Sequence, residues 1–339
     1  MKKLILNYWV IAALVVAAVF TSCGGGSGSK IGKSSGKIKM TTEKGGNFYL
    51  YLTGSGVATV DWGDGSEKTT LTLKSEYLGS GDGVFIHTYP SASLRTITMN
   101  GDNITGLLCR ENITSLDVTR CTELTELHCD NNRLTSLDVS KNTALKSLIC
   151  YSNQLTSLDL SKNTALTSLS CGYNKLTRLD VSKNTVLSGL DCDNNQLTSL
   201  DVSKNNALIG LRCANNQLTK LDVSKNNALM GLGCSNNQLT SLDVNKNRAL
   251  TQLYCANNQL TSLDVNNNSA LKGLNIRSNQ LTATALNTLF GTLHSNPPEQ
   301  HQSKEIDIND NPGTNSCDRS IAERNRWVIR GLVDVISSF

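Results

Sequence analysis

A cysteine recurs every 21 residues through the middle of this chain of 339 residues. The residues around it recur as well, and each unit reads Leu-x-x-Leu-x-Cys-x-x-Asn-x-Leu-x-x-Leu-x-Val, with only small changes, as from Leu145 to Leu160. Such a fixed period predicts a stacked repeat architecture, because one unit cannot bury its apolar residues without neighbours. Stacks of this kind more often form binding surfaces than catalytic cavities. The evenly spaced cysteines are Cys129, Cys150, Cys171, Cys192, Cys213, Cys234 and Cys255.

The unit resembles the leucine-rich repeat, with cysteine at the position of its last strand leucine. Leu127 and Cys129 alternate with a period of two, which indicates a strand with one buried face. The resemblance covers residues 104–282 in about nine units, and cysteine in this position is similar to some internalin-like bacterial surface proteins. It implies a leucine-rich-repeat solenoid with a parallel β-sheet on one face.

The repeated cysteines are predicted to be structural. A buried free thiol behaves as a small apolar group. The column contains no histidine and no Cys-x-x-Cys pair that would suit zinc, and disulfides between successive units would distort an even stack. We therefore expect buried, reduced thiols, with no metal and no cofactor.

Three polar columns are predicted to hold the turns. Asparagine can pair backbone donors and acceptors that a turn leaves open, and an aspartate near a basic residue can accept hydrogen bonds from turn amides. Calcium is the alternative for the aspartates, but one carboxylate in each turn supplies too few oxygen ligands. The columns are Asn132, Asn153, Asn174, Asn195, Asn216, Asn237, Asn258 and Asn279; Asn142, Asn163, Asn184, Asn205, Asn226 and Asn247; and Asp117, Asp138, Asp159, Asp180, Asp201, Asp222, Asp243 and Asp264.

A ligand is expected to bind at the positions where the sequences of the repeats differ. The outward strand positions on either side of each cysteine vary from unit to unit, and exposed sheet positions are the usual contact surface of a solenoid. We expect the surface to centre on Asp191, Arg212 and Tyr254, with a shallow gap at Gly233 between arginine and tyrosine, which are common interface anchors. Unconstrained drift is the alternative. The candidate ligand-binding residues are Arg212, Tyr254, Asp191, Tyr151, His128, Asp193 and Arg277.

Residues 1–22 resemble a bacterial lipoprotein signal peptide. Basic residues precede an apolar run from Trp9 to Phe20, which is too short to span a bilayer, and small residues precede Cys23. The resemblance implies cleavage before Cys23 and its lipidation; an ordinary cleaved signal is the alternative. Residues 23–37 are predicted from their composition to form a flexible Gly/Ser tether. The protein is expected in the cell envelope, lipid-anchored in the outer membrane of a Gram-negative bacterium, either periplasmic or surface-exposed.

Residues 38–103 are predicted to form a small all-β sandwich. Strands are predicted at Phe48–Leu52, Val57–Asp61 and Leu94–Met99, with a turn at Asp64 and Gly65. The segment from Val60 to Ser66 and the later His-Thr-Tyr resemble the polycystic-kidney-disease-type (PKD) domain, an Ig-like fold. The block is expected to act as a spacer and to cover the first open edge of the solenoid. His87 is expected to be a packed strand residue.

Residues 283–339 are predicted to form an α/β C-terminal cap, because a terminal repeat needs a polar outer face. The pattern predicts a helix from Ala283 to Leu293, a strand at Glu305–Ile308 and a charged helix from Arg319 to Arg330.

The composition and motifs reduce the range of functions to be expected. The formal net charge of +4 is too small to indicate nucleic-acid binding. No nucleophile-elbow, Walker or His-Glu-x-x-His motif occurs, and no enzymatic activity is predicted. We expect a lipid-anchored envelope protein that presents its repeats to a protein or glycan ligand, as in adhesion. The alternatives are a passive envelope scaffold or accessory subunit, and a glycan-binding helper to degradative enzymes.

Overall fold

The computed structural model describes residues 36–75, 83–297 and 303–330. The predicted signal peptide, Cys23 and most of the predicted tether lie outside these residues. The chain divides into two compact units, Met1–Leu187 and Ser188–Phe339, and each is described by itself. Within the described ranges, no helix has the length and apolar character needed to cross a membrane.

The first unit begins with antiparallel strands. β2 pairs with β3, β4 and β5, while β1 lies between β5 and β6. Phe48, Leu50 and Leu52 alternate into the core of this block, as a strand with one buried face requires. The strands are β1 (Gly36–Thr42), β2 (Gly46–Asp61), β3 (Thr69–Thr72), β4 (Val84–Tyr89), β5 (Arg95–Leu108) and β6 (Ile113–Asp117).

The long strands β2 and β5 contain the three strands predicted from the sequence, apart from Leu94, which precedes β5. Their pairing shifts register at Gly54. The φ angle of Gly54 is 150°, and a Cβ at this position would collide with the carbonyl of Asn103. Only glycine therefore lets the two strands pass so closely at this irregularity.

The N-terminal strands continue directly into the repeats. The end of β5, from Gly106 to Leu108, pairs in parallel with Glu126–His128 of the next turn. The boundary predicted between residues 103 and 104 therefore lies inside β5. β1 begins at Gly36, within the predicted tether, because Gly36, Ile38 and Met40 alternate into the core. Since β1 also pairs with β6 of the first repeat, these strands cover that end of the stack.

Each later repeat of the first unit contributes one short parallel strand. Leu127, Leu148 and Leu169 lie opposite each other in register and are buried. A residue with positive φ follows each strand by three positions and turns the chain: Asn131 at 55°, Ser152 at 53° and Tyr173 at 53°. The strands are β7 (Glu126–His128), β8 (Ser147–Ile149) and β9 (Ser168–Ser170).

The described strands of the second unit form a parallel sheet in chain order. Each strand pairs with the next, from β10 to β16, and the repeated leucines again fill the interior. The strands are β10 (Gly189–Asp191), β11 (Gly210–Arg212), β12 (Gly231–Gly233), β13 (Gln252–Tyr254), β14 (Gly273–Asn275), β15 (Lys304–Asp307) and β16 (Trp327–Arg330). The parallel β-solenoid predicted from the repeat is thus confirmed.

The C-terminal elements agree with the sequence only in part. Helix α1 (Ala283–Thr292) and strand β15 lie where they were predicted, and Thr282 caps α1 by accepting a hydrogen bond from the Ala285 amide at 3.3 Å. The predicted helix from Arg319 to Arg330 is wrong. Only Ser320–Arg324 is helical, as α2, because Arg326 has a φ of 62° and Trp327 then enters β16.

Candidate functional site

The repeated cysteines form part of the apolar interior. All seven are fully buried and free of disulfides. Burial raises the pKa of the Cys234 thiol to about 12 and raises those of Cys150, Cys213 and Cys255 well above the usual value. Because the thiolate is the nucleophile and the metal ligand, these four thiols stay in their unreactive, protonated form at neutral pH.

The two asparagine columns hold the turns, as expected. Asn153 donates to the carbonyls of Cys129 and Cys150 at 2.9 and 3.1 Å, and it accepts from the Leu134 amide at 3.0 Å. In the second column, Asn163 donates to the carbonyls of Val139 and Asn142 at 2.9 Å each. Each side chain therefore links successive turns through their backbones.

The aspartate column is also local turn structure. Asp138 accepts from the Ser140 amide at 2.9 Å, and Asp222 accepts from the Ser224 amide at 2.8 Å. These backbone hydrogen bonds lower the pKa values of both carboxyl groups. Among the described residues, no group of three or more histidine, cysteine or acidic side chains could hold a metal ion. At these positions the carboxylates are thus engaged by the amides of their own turns.

The outward face of the first-unit sheet extends into the N-terminal strands. In register, one row runs from Val84 through Tyr51, Leu108 and His128 to Ile149, and all five are partly exposed. Tyr51 and Val84 were not predicted as part of this face. The alternation within β2 shows that Tyr51 points away from the core, but only the long-range pairing of β5 with β7 places it beside the repeats.

A polar cluster borders this row. The Arg110 guanidinium contacts Asp130 at 2.7 Å, and Asn131 donates to Asp130 at 2.7 Å and to the Tyr151 hydroxyl at 3.0 Å. Asp130 is fully buried. Burial lowers the pKa of His128 to about 4, which keeps its imidazole neutral at pH 7. Arg110 and Tyr151 are therefore the groups that this cluster offers to a ligand.

On the face of the second unit, Arg212 is bound to a neighbouring carboxylate. Its Nε and Nη2 atoms donate to Asp193 Oδ2 at 3.0 and 2.6 Å, and the Ala214 amide donates to Asp193 Oδ1 at 2.6 Å. Asp193 is buried beneath this pair, whereas Asp191 lies 3.9 Å from Arg212 Nη1. The guanidinium was expected to be available for a ligand, but it is fixed to Asp193 and offers only its outer surface.

Gly233 lies between two larger outward side chains. Arg212, Gly233 and Tyr254 lie opposite each other in register on β11, β12 and β13. A Cβ at Gly233 would find its nearest neighbour, Arg212 Cγ, at 3.8 Å, which is ordinary contact. Tyr254 donates to Gln252 Oε1 at 2.8 Å, which fixes the direction of its ring. We call the position between the Arg212 and Tyr254 side chains, where Gly233 contributes no side chain, the Gly233 gap.

The remaining candidate, Arg277, is also ion-paired. Its Nη2 atom lies 2.5 Å from Asp310 Oδ2, in the turn after β15. As ligand contacts, all seven candidates remain predictions. The structure shows that Asp193 is largely beyond reach, and that Arg212, Arg277 and Tyr254 present their side chains in fixed directions.

No protein-family model and no curated protein matches this chain. Among solved structures, it is similar to the functional domain of InlJ from Listeria monocytogenes, which includes a cysteine ladder. The two are 40% identical over 66% of this chain and 47% of that chain, with a TM-score of 0.56. A leucine-rich-repeat protein of Leptospira interrogans is 20% identical over 63% of this chain and 62% of its own, with a TM-score of 0.52, and shows the fold alone.

An internalin, InlF from Listeria monocytogenes, is 20% identical over 69% of this chain and 84% of its own, with a TM-score of 0.43. The chain spans about half the length of the InlJ structure that it matches. The chain thus has the leucine-rich-repeat fold, and its structural neighbour InlJ includes a cysteine ladder.

Proposed function

We propose that this protein is a binding module that presents the outward face of its strands to a protein partner. The observation that carries the proposal is the contrast between the two sides of each strand. Leu211, Leu232 and Leu253 repeat without change on the inner side, whereas Arg212, Gly233 and Tyr254 differ at the outward position. Packing and turn geometry fix the other columns, so only this surface can encode a partner.

The Gly233 gap is the part of this surface best suited to an anchor. It has the Tyr254 ring on one side and the Arg212 guanidinium on the other. Hydrogen bonds within the protein hold both side chains in place without a ligand. Side chains held in this way lose little conformational freedom on binding, and arginine and tyrosine are enriched among residues that dominate interface energies. A side chain of the partner that enters the gap would contact both walls.

The test is a binding screen against a panel of purified extracellular-matrix proteins, envelope proteins and polysaccharides. Gly233→Leu should fill the gap without strain, because its Cβ meets only ordinary contacts, and Tyr254→Ala should remove one wall. Both changes should weaken binding of any protein found, whereas Asp222→Asn in the aspartate column should not. Saturable binding of a protein that all three variants retain would contradict a site at the gap, and no binding to anything in the panel would favour a passive scaffold. A polysaccharide as the sole partner would favour the glycan-binding alternative.

We also propose that the protein is anchored in the cell envelope through a lipid on Cys23. The support is the sequence alone: a basic start, a short apolar run and small residues before Cys23. Multiple acyl chains give stable anchoring. Expressed with its own leader in a Gram-negative host, the protein should partition into detergent, and Cys23→Ala should abolish this. An unchanged membrane fraction for Cys23→Ala would contradict the anchor.

The N-terminal strands are proposed to be a PKD-like block that supports the binding surface. The residues that carry the resemblance come together in space: His87 stacks on Trp62 with 4.8 Å between ring centroids, and Tyr89 donates to the Trp62 carbonyl at 2.8 Å. His87 also contacts Asp64 at 2.7 Å. Because β5 continues from this block into the first repeat, the block is suited to hold the beginning of the sheet in place.

A further inference from the structure

The strand face of the second unit carries more carboxylates than cations. Its charged side chains come from β10, β11 and β14 to β16 and from the turns that follow these strands. Five of them are acidic and three are arginines: Asp191, Asp193, Glu305, Asp307 and Asp310, and Arg212, Arg277 and Arg330. The chain as a whole has a formal charge of +4, so the sign of this face is opposite to that of the molecule.

Each arginine on this face is already bound to a carboxylate. Arg212 is bound to Asp193 at 2.6 Å, Arg277 to Asp310 at 2.5 Å and Arg330 to Glu305 at 2.5 Å. The exposed guanidiniums are therefore neutralised within the protein. An acidic partner would have to break these pairs to use them.

Two carboxylates lack a partner of this kind within the described part of the second unit. Asp191 is 30% exposed, and its nearest guanidinium, at 3.9 Å, is bound more closely by Asp193. Asp307 lies on β15 and uses one oxygen to accept from the Asn309 amide at 3.1 Å. Asp191 thus shares Arg212 with Asp193, and Asp307 has no ion pair within the described residues, so the two carboxylates leave this face with excess negative charge.

The fold does not need this charge. Asp191 accepts a hydrogen bond from the Asp193 amide at 3.1 Å, and Asn275, at the same position of its own repeat, accepts from the Arg277 amide at 3.2 Å. A neutral amide therefore forms the same local turn bond as the carboxylate. The negative charge at positions 191 and 307 must be explained by something other than the turn.

We infer that the partner of this face is a basic protein segment, one that carries lysine or arginine side chains to Asp191 and Asp307. The inference rests on the proposed function and specifies the chemistry of its ligand. Asp191 and Asp307 are five strands apart, which is about 24 Å at the spacing of neighbouring strands. An extended peptide covers this distance in about seven residues, and on the way it crosses the Gly233 gap and Tyr254.

The test measures the affinity of the protein for a fluorescent oligolysine peptide by anisotropy, with an oligoglutamate peptide as the opposite probe. The double variant Asp191→Asn with Asp307→Asn preserves the turn acceptors, as Asn275 shows, and removes both charges. It should weaken oligolysine binding about fivefold or more. The matched control, Asp222→Asn with Asp243→Asn, removes the same charge from the aspartate column of the same unit. It should leave the affinity for oligolysine nearly unchanged. Added salt should weaken binding to the unmodified face.

Two results would overturn the inference: equal weakening by the control pair, which would indicate attraction by charge without a site, or tighter binding of oligoglutamate than of oligolysine. Neither result decides the proposed function, which depends on the Gly233→Leu and Tyr254→Ala variants. If those variants block a protein partner while the aspartate variants do not affect it, the face is a binding surface for a partner that is not basic.

Discussion

At the scale of single residues, the repeated cysteines pack as interior residues. The stability lost when one is replaced by serine depends on whether a hydrogen-bond acceptor lies near its sulfur. Cys192 Sγ lies 3.3 Å from the carbonyl oxygen of Arg212, within hydrogen-bonding distance for a thiol. A serine hydroxyl at this position has an acceptor at hand. The position of Cys234 is equally buried, and burial is the cause that raises its thiol pKa.

Cys234→Ser should therefore destabilise the protein by roughly 1–3 kcal/mol, because a buried hydroxyl without a good partner carries a desolvation cost of that size. Cys192→Ser should cost less. Urea unfolding of both variants, followed by circular dichroism, measures the difference. Equal losses of stability would contradict this account of the column.

The pairing of single side chains also limits what a sequence can reveal about a site. The repeat places Arg212, Gly233 and Tyr254 side by side, and this part of the candidate site was predictable from the period. The bond from Arg212 to Asp193 was not, because a long side chain in the outward column can turn toward several neighbours and packing decides among them. The same applies to Arg277, whose partner Asp310 is 33 residues away.

At the scale of elements, the turn between β2 and β3 should respond to acid. Asp64 Oδ1 accepts from the Ser66 hydroxyl at 2.6 Å, and Asp64 Oδ2 contacts His87. Hydrogen bonds from Ser66, followed by the interaction with His87, lower the pKa of Asp64 to about 2. In the unfolded chain this pKa is about 3.9, so between these values the unfolded state binds the proton and the folded state does not.

The contribution of Asp64 to stability is therefore present above about pH 4 and is lost as the pH falls toward about 2. Asp64→Asn should lower the melting temperature at neutral pH and should make the loss on acidification smaller than in the unchanged protein. Thermal unfolding across this range checks both effects. Parallel acid profiles for the two proteins would show that Asp64 does not supply this dependence.

The C-terminal elements depend on a buried lysine. Lys304 donates to the carbonyls of His294 and Asn325 at 2.9 and 2.8 Å, and its ammonium lies 5.4 Å from the centre of the Trp327 ring. Lys304→Met should destabilise the second unit by roughly 1–3 kcal/mol, because two carbonyls lose their donor. Lys246→Met, at an exposed position three residues after Asp243 of the aspartate column, is the matched control and should be nearly neutral. Hydrogen exchange should show the loss of protection concentrated in β15 and β16.

The elements themselves were predictable where the repeat or a strong period fixed them, as for α1 and the parallel strands. β16 was not predictable, because the apolar residues from Arg319 to Arg330 have helical spacing. Pairing with β15 makes the end of this segment a strand despite that spacing. The left-handed residues Asn131, Ser152 and Tyr173 were also missed. Asparagine is common at this column because it tolerates positive φ, and that preference was the available signal.

At the scale of the molecule, the 21-residue period determines the stack, and the stack determines which surface is free to vary. The sequence could not indicate that β5 belongs to both the N-terminal strands and the first repeat, because its partner β7 is joined to it by a non-local pairing. The proposed binding surface of the first unit is therefore longer than the repeats alone suggest, and it includes Tyr51. These observations support one central claim: the outward strand face is where a protein partner binds.

Site-specific photo-crosslinking tests this claim most directly. A photoreactive aromatic amino acid in place of Tyr254 would keep an aromatic ring beside the Gly233 gap and leave the gap open. The same residue at position 225 replaces an exposed lysine three positions after Asp222 of the aspartate column, in the same unit. In cells that produce the protein, illumination should give a discrete crosslinked protein from position 254 and none from position 225. Crosslinks from position 225 alone, or the same products from both positions, would contradict the claim.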